Sequence, residues 1–229
     1  FSRAQQIKFQ DQNGQECFAW TTSWGVSTRL VGALIMSHSD DDGLVIPPKL
    51  APKHIVLLPI YRSDADKASV LAYCDSLKQE LETRDYAGSR IRVQIDDRDM
   101  RGGEKNWQHV KRGVPLRAEV GPKDIAQNAA FVSRRDTGGK KSMPRAELVA
   151  SIDSILADMQ TNLFQRALKL RQENTRTIDN LDDFKAYFTP KDEEQPEIHG
   201  GFAHCHFVDD PSVDELLKAM KVTIRCLPL

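Results

Sequence analysis

The chain has 229 residues, 40% of them hydrophobic and 28% charged, enough apolar material for one large core or two modest ones. Lys and Arg number 32 against 33 Asp and Glu, so the net charge of −1 excludes a uniformly basic polypeptide. No apolar run approaches the ~20 residues that cross a bilayer, which excludes a membrane-spanning helix. Four scattered cysteines and no signal peptide predict a reducing, cytoplasmic setting. Because the chain opens with Phe1-Ser2-Arg3 and not with Met, it reads as a fragment of a longer protein.

In chain order, Cys17 to Trp24 is rich in aromatic and β-branched residues and predicts a strand. Thr28 to His38 is apolar nearly all round and predicts a buried helix. Gly43 to Ile46 reads as another buried strand, and Pro47, Pro48 and Pro52 then read as a linker. Ile55 to Ile60 is a continuous apolar strand. Asp64 to Arg84 is a helix with Val70, Leu71, Leu77 and Leu81 on one side.

Further strands are predicted at Arg90 to Ile95, Leu116 to Val120 and Ala129 to Ser133, with a short helix at Glu104 to Lys111. This βαβ order followed by closely spaced strands implies a mixed sheet with helices against it. Ser142 reads as the cap of a helix with Pro144 in its first turn. Leu148, Ile152, Ile155, Met159, Leu163 and Leu170 keep helical spacing, so this helix is expected to run to about Thr177 and to bridge two units. Asp182 to Phe188, Ser212 to Met220 and Val222 to Cys226 then suggest a small α+β unit.

Charge is unevenly spread. Arg98 to Arg145 holds twelve basic against five acidic residues, and Asp179 to Glu215 two basic against eleven acidic. A polyanion is attracted to the first stretch and repelled by the second. Around Gly121-Pro122 lie Arg117, Glu119, Lys123 and Asp124, and Arg134-Arg135-Asp136 follows the next strand. Arg and Lys suit phosphates or guanine acceptor edges, while Asp accepts from guanine N–H groups, so this mixture weakly favours RNA. At the first strand's end, Ser23, Trp24, Gly25 and Arg29 offer a hydroxyl, an indole and a cation for close approach by a ligand.

His204-Cys205-His206, with His199 and Cys226 nearby, resembles a metal cluster in composition only. Adjacent side chains on a strand point to opposite faces, and no CxxC or HxxxH spacing occurs. Arg101-Gly102-Gly103-Glu104-Lys105 lacks the order of a phosphate loop, and His54 and His109 stand alone.

Thr21-Thr22-Ser23-Trp24-Gly25-Val26-Ser27-Thr28-Arg29, then Met36-Ser37-His38 and Gly43 to Pro52, resemble the motif 3 region of prolyl-tRNA synthetases. Gly113-Val114-Pro115-Leu116-Arg117-Ala118-Glu119-Val120-Gly121-Pro122-Lys123-Asp124 and Arg134 to Gly138 resemble that family's anticodon-binding domain. Asp210-Pro211 through Pro228 resembles the extra C-terminal domain of its archaeal and eukaryotic form, which some bacteria share. The resemblance implies an α/β chain in three parts. These are a class II catalytic-domain remnant at 1–48, a mixed-sheet anticodon-binding domain at 49–145, and a bridging helix with a small α+β C-terminal domain at 146–229.

It also implies ATP- and Mg-dependent activation of proline and transfer to tRNA(Pro) by a cytoplasmic homodimer without membrane association. Arg29 would then be the catalytic motif 3 arginine against ATP, Ser23 and Trp24 would line the proline pocket, and Arg117, Lys123 and Asp124 would read the anticodon. CCN codons demand two anticodon guanines, which suits Arg and Asp partners. Motifs 1 and 2 are not in the sequence, so the chain alone is expected to form no prolyl-adenylate. Val110 stands where the family is often acidic. Val208 and Val213 replace two zinc-binding cysteines, so no zinc is expected. The rival readings are a noncatalytic RNA-binding module on a synthetase-like fold, and a protein-interaction scaffold built on the acidic tail.

Overall fold

The computed structural model describes residues 1–192, 194 and 201–226. Its first elements are a short helix α1 (Ser2–Gln5) and an antiparallel hairpin of β1 (Lys8–Gln10) and β2 (Glu16–Phe18). The expected strand through Trp24 therefore stops at Phe18, and residues 19–27 have no regular structure. Helix α2 (Arg29–His38) forms where expected but is not buried. None of the first 42 residues is buried, and Trp24 is 96% exposed. The apolar residues that suggested a core helix face outward because no layer of the described chain covers them.

Gly43 to Ile46 is also not a strand. It is an extended segment that Leu44 and Ile46 tie down through their N–H groups to the carbonyls of Lys111 (3.0 Å) and Gly113 (3.2 Å). Glycine permits this crossing on both sides. A Cβ on Gly43 (φ 131°) would fall 2.7 Å from the Lys111 Cα, and one on Gly113 (φ 70°) 2.5 Å from the Leu44 carbonyl oxygen.

From residue 55 onward the chain builds a five-stranded sheet. Its strands are β3 (Ile55–Pro59), β6 (Val93–Ile95), β7 (Leu116–Val120), β8 (Ala129–Arg134) and β9 (Lys140–Pro144), in the order β6-β3-β7-β8-β9. The first three are parallel, and β8 and β9 antiparallel. β3 lies between β6 and β7 and all five of its residues are buried, as an unbroken apolar run in a strand covered on both faces requires.

Helix α3 (Asp64–Leu81) follows β3. The Ser63 hydroxyl accepts from the Asp66 N–H (3.2 Å) at its start, and Val70, Cys74, Leu77 and Leu81 form its buried stripe. Next comes a tight hairpin, β4 (Asp85–Tyr86) and β5 (Ser89–Arg90). Both turn residues have positive φ, 50° at Ala87 and 81° at Gly88, which matches the twist of paired strands. Helix α4 (Gly102–Lys111) links β6 to β7, and α5 (Pro122–Ala126) links β7 to β8.

Strand β9 replaces the helix start expected at Ser142. Lys140 to Pro144 pairs residue by residue with β8, and helix α6 (Arg145–Glu173) begins only after Pro144. At 29 residues it spans about 43 Å. Its Leu148, Ile152, Leu156, Met159 and Leu163 are buried. The first four join Ile55, Leu57, Leu116, Ala118, Ala130, Val132 and Met143 in the main core. We refer to this side of the sheet, packed by α3, α5 and α6, as the closed face.

Three ion pairs brace it: Arg145 to Glu80 (2.8 Å), Arg84 to Asp153 (3.1 Å) and Arg134 to Asp158 (2.7 Å). Beyond α6, β10 (Thr175–Thr177) pairs in parallel with β11 (Phe202–His204). Helices α7 (Leu181–Phe188) and α8 (Pro211–Ala219) complete the α+β unit. Residues 222–226 are irregular, contrary to the expected strand. Among the described residues no helix is long and apolar enough to cross a membrane.

Candidate nucleic-acid interface

Alternation along each strand sends every second residue to the other side of the sheet. There Val56 and Leu58 of β3 pack with Val114 in a small cluster beneath α4. Next to them in register lie Arg117, opposite Val56, and Glu119, opposite Leu58. Further across, Ser133 pairs with Arg117 and Phe131 with Glu119, and Ser142 and Lys140 of β9 pair with Phe131 and Ser133. The helices that touch β8 and β9, α5 and α6, contribute Ile125 and Leu148 to the closed face. This second side is therefore half covered by α4 and then open.

Two interactions fix α4 to the end of β6, both made to Asp96, which Arg98 also buttresses. The Asp96 carboxylate accepts from the Arg98 Nε and Nη2 (both 2.7 Å) and lies 2.8 Å from the His109 Nε2, while the Lys105 ammonium donates to the Asp96 carbonyl (3.2 Å). The Arg98 hydrogen bonds hold the Asp96 carboxyl well below the usual carboxylate range. Burial lowers the His109 pKa, and Asp96 acts against that shift. With Lys105 and His109 turned inward, helical spacing puts Asn106 and Val110 on the flank that faces β7.

Asn106 meets Arg117 on this flank. Arg117 is 4% exposed, and its guanidinium donates from Nε to the Asn106 Oδ1 (2.8 Å) and from Nη1 to the Val114 carbonyl (3.4 Å). No carboxylate lies within ion-pair distance of it among the described residues. Burial, and then the charge of Arg135, push its pKa down to about 10, with Glu119 acting in the opposite direction. It remains a cation at neutral pH, held by two neutral oxygens.

Arg135 is the contrasting case. It is 6% exposed, but its Nη1 donates to the Asp40 carboxylate (2.6 Å), and Nε and Nη2 donate to the carbonyls of Leu44 (3.1 Å), Val110 (3.2 Å) and Gly43 (3.1 Å). Its charge is spent on holding the Asp40–Leu44 segment to α4. Arg134 is likewise occupied, by Asp136 and Asp158, and the Asn162 amide donates to Asp136 (2.8 Å). The Arg134-Arg135-Asp136 run, read from sequence as RNA-facing, is thus internal bracing.

Lys123 and Asp124 lie in the first turn of α5, past the end of β7. Lys123 is exposed. The Asp124 Oδ2 accepts the Gly121 N–H (2.9 Å) and so closes the start of that helix. Arg117 is buried beside α4 about 10 Å back along the strand, so the three sequence candidates sit on one strand and its exit, at different heights. Asn106 and Phe131 escaped the sequence reading. Period-two alternation in β8 separates Phe131 from the core residues Ala130 and Val132, but only once the closed face is known.

Ser23, Trp24 and Arg29 belong to the unburied N-terminal stretch, and all three are exposed. No residue of this stretch lines a described cavity. The described His204, Cys205, His206 and Cys226 border a groove in the C-terminal unit, where no group of three potential metal ligands converges among the described residues. His199, Leu227 and Pro228 lie outside the described residues.

Residues 54–155 match the family model for the anticodon binding domain. This segment holds the mixed sheet, α3 to α5 and the start of α6, and it defines an anticodon-binding domain of the aminoacyl-tRNA synthetase class. The whole chain aligns with the proline–tRNA ligases of Rhodopirellula baltica (55% identity) and Bdellovibrio bacteriovorus (52% identity), covering 44% and 46% of their lengths. A crystal structure of the Cryptosporidium parvum prolyl-tRNA synthetase, complexed with L-proline and AMP, superposes with a TM-score of 0.78 at 30% identity. That match covers 96% of this chain and 43% of that one. Over its whole length the chain is similar to the C-terminal portion of prolyl-tRNA synthetases, and it spans less than half the length of these relatives.

Proposed function

We propose that the open face between α4 and β9 reads the anticodon of tRNA(Pro), within an enzyme that activates proline with ATP and transfers it to that tRNA. The observation that carries this reading is Arg117, a buried cation without a carboxylate partner. Burying an uncompensated charge costs free energy that folding alone gives no reason to retain. A ligand supplying acceptor atoms there recovers it. With Nε committed to Asn106 and Nη1 to the Val114 carbonyl, Nη2 is left to donate to a guanine acceptor, O6 or N7. Lys123, and Lys140 on β9, give the rim positive charge for phosphates.

The same reading gives Arg29 a place against ATP and Ser23 and Trp24 a place around proline. These three residues do not form a closed site by themselves, because all are exposed and no described cavity gathers them.

The test is a titration of the full chain with tRNA(Pro) and with the same tRNA whose two anticodon guanines are replaced by adenine, at one fixed salt concentration. Each lost guanine is expected to weaken binding by about 1–3 kcal/mol. Equal binding would reduce the basic zone to an electrostatic surface and remove the assignments of Arg117, Lys123 and Asp124.

A further inference from the structure

Phe131 sits in the middle of the open face and is 38% exposed, while its neighbours along β8, Ala130 and Val132, are buried on the closed side. Its partners in register are Glu119 on one side and Ser142 on the other, both polar. Arg117 lies one diagonal step away through Glu119, and Lys140 lies one step away through Ser142. The ring is thus a single flat apolar surface inside a frame of hydrogen-bonding and charged groups. A protein partner recognised by apolar contact needs a contiguous apolar patch, and no second large apolar side chain adjoins Phe131 across either strand. A nucleobase needs what this frame offers: one face to stack on, and polar groups at its edges.

We propose that Phe131 is the stacking platform for an unstacked base of the anticodon loop, a positioning residue that holds the loop so that a neighbouring base reaches Arg117. This inference rests on the anticodon reading above and assigns a residue that the sequence motifs did not include. Stacking tolerates any base, so Phe131 contributes affinity and geometry while Arg117 contributes guanine preference. The strand itself does not require the aromatic ring, since a β-branched residue fits a half-exposed strand position equally well.

The experiment uses the full chain and an anticodon stem-loop RNA that keeps both guanines and carries 2-aminopurine at each remaining loop position in turn. The parent chain is expected to quench the fluorescence of at least one of these RNAs on binding. Phe131→Val should abolish that quench and weaken binding about ten-fold. Phe131→Trp should preserve both, and every variant should still prefer guanine to adenine. Thermal unfolding of Phe131→Val is expected to match the parent, which separates loss of stacking from loss of fold. If Phe131→Val binds and quenches like the parent while guanine preference persists, the platform is wrong and the anticodon reading stands. If the parent is indifferent to the guanines, both fall together.

Discussion

The two faces of the central sheet are made from the same strands and differ in almost every other respect. On the closed face Leu116, Ala118 and Val120 of β7 meet α3, α5 and α6 in the main core. On the open face the residues between them, Arg117 and Glu119, meet a flank of α4 and then no helix. The difference teaches where folding and recognition divide within a single strand. Residues that pay for order point one way, and a buried cation that folding does not neutralise points the other.

The largest test of that division compares neighbours on β7. Leu116→Ala removes a fully buried side chain from the closed face and is expected to cost about 2–5 kcal/mol, read as a lower urea midpoint with unchanged slope. Arg117→Met, one residue along, should leave the midpoint within about 1 kcal/mol of the parent or raise it, because it removes an unpaired buried charge. A large loss at Arg117 would mean that the open face is structural after all.

Acid distinguishes the buried histidines that brace the sheet. The His54 Nδ1 accepts the Arg92 N–H (3.0 Å), which requires an unprotonated nitrogen, and burial lowers its pKa from 6.5 to about 4. The native state therefore binds fewer protons than the unfolded chain between those values. Stability is complete above about pH 6.5 and declines as the pH falls towards 4, by roughly 3 kcal/mol from this group. His109, also lowered by burial, acts in the same direction. Urea unfolding at pH 7 and pH 4.5 checks the sign, and a His54→Asn variant should show the shallower decline.

Between these effects and the smallest lies Arg135→Met. It strips the carbonyls of Gly43, Leu44 and Val110 of a donor and releases Asp40, for an expected loss of about 1–3 kcal/mol. Guanine discrimination should survive in that variant when it is measured below its unfolding midpoint. Arg117→Met should show the opposite pattern, with stability kept and discrimination lost.

Much of the closed face was legible in the sequence because burial there leaves a period. Ile55 to Ile60 is an unbroken apolar run, and Leu148, Ile152, Met159 and Leu163 repeat at helical spacing. Strand β9 was not legible, since only Met143 of Lys140 to Pro144 is buried and Ser142-Met143-Pro144 imitates a helix start. The arginines were legible only as charges. Whether Arg117 or Arg135 is free depends on Asp40, 95 residues before Arg135 and brought to it by the fold. The N-terminal 42 residues misled in the other direction. Leu30, Val31 and Ile35 look like core, yet burial depends on a covering layer that composition does not disclose.

The most direct test of the central claim is a binding cycle that crosses Arg117→Met with replacement of each anticodon guanine by adenine, at constant salt. We predict that the parent discriminates against adenine at both positions. Arg117→Met should lose that discrimination, worth about 1–3 kcal/mol, at one position and keep it at the other. If the variant binds every RNA more weakly by one common factor and still distinguishes guanine at both positions, Arg117 contacts the phosphate backbone, and the open face does not read the anticodon through it.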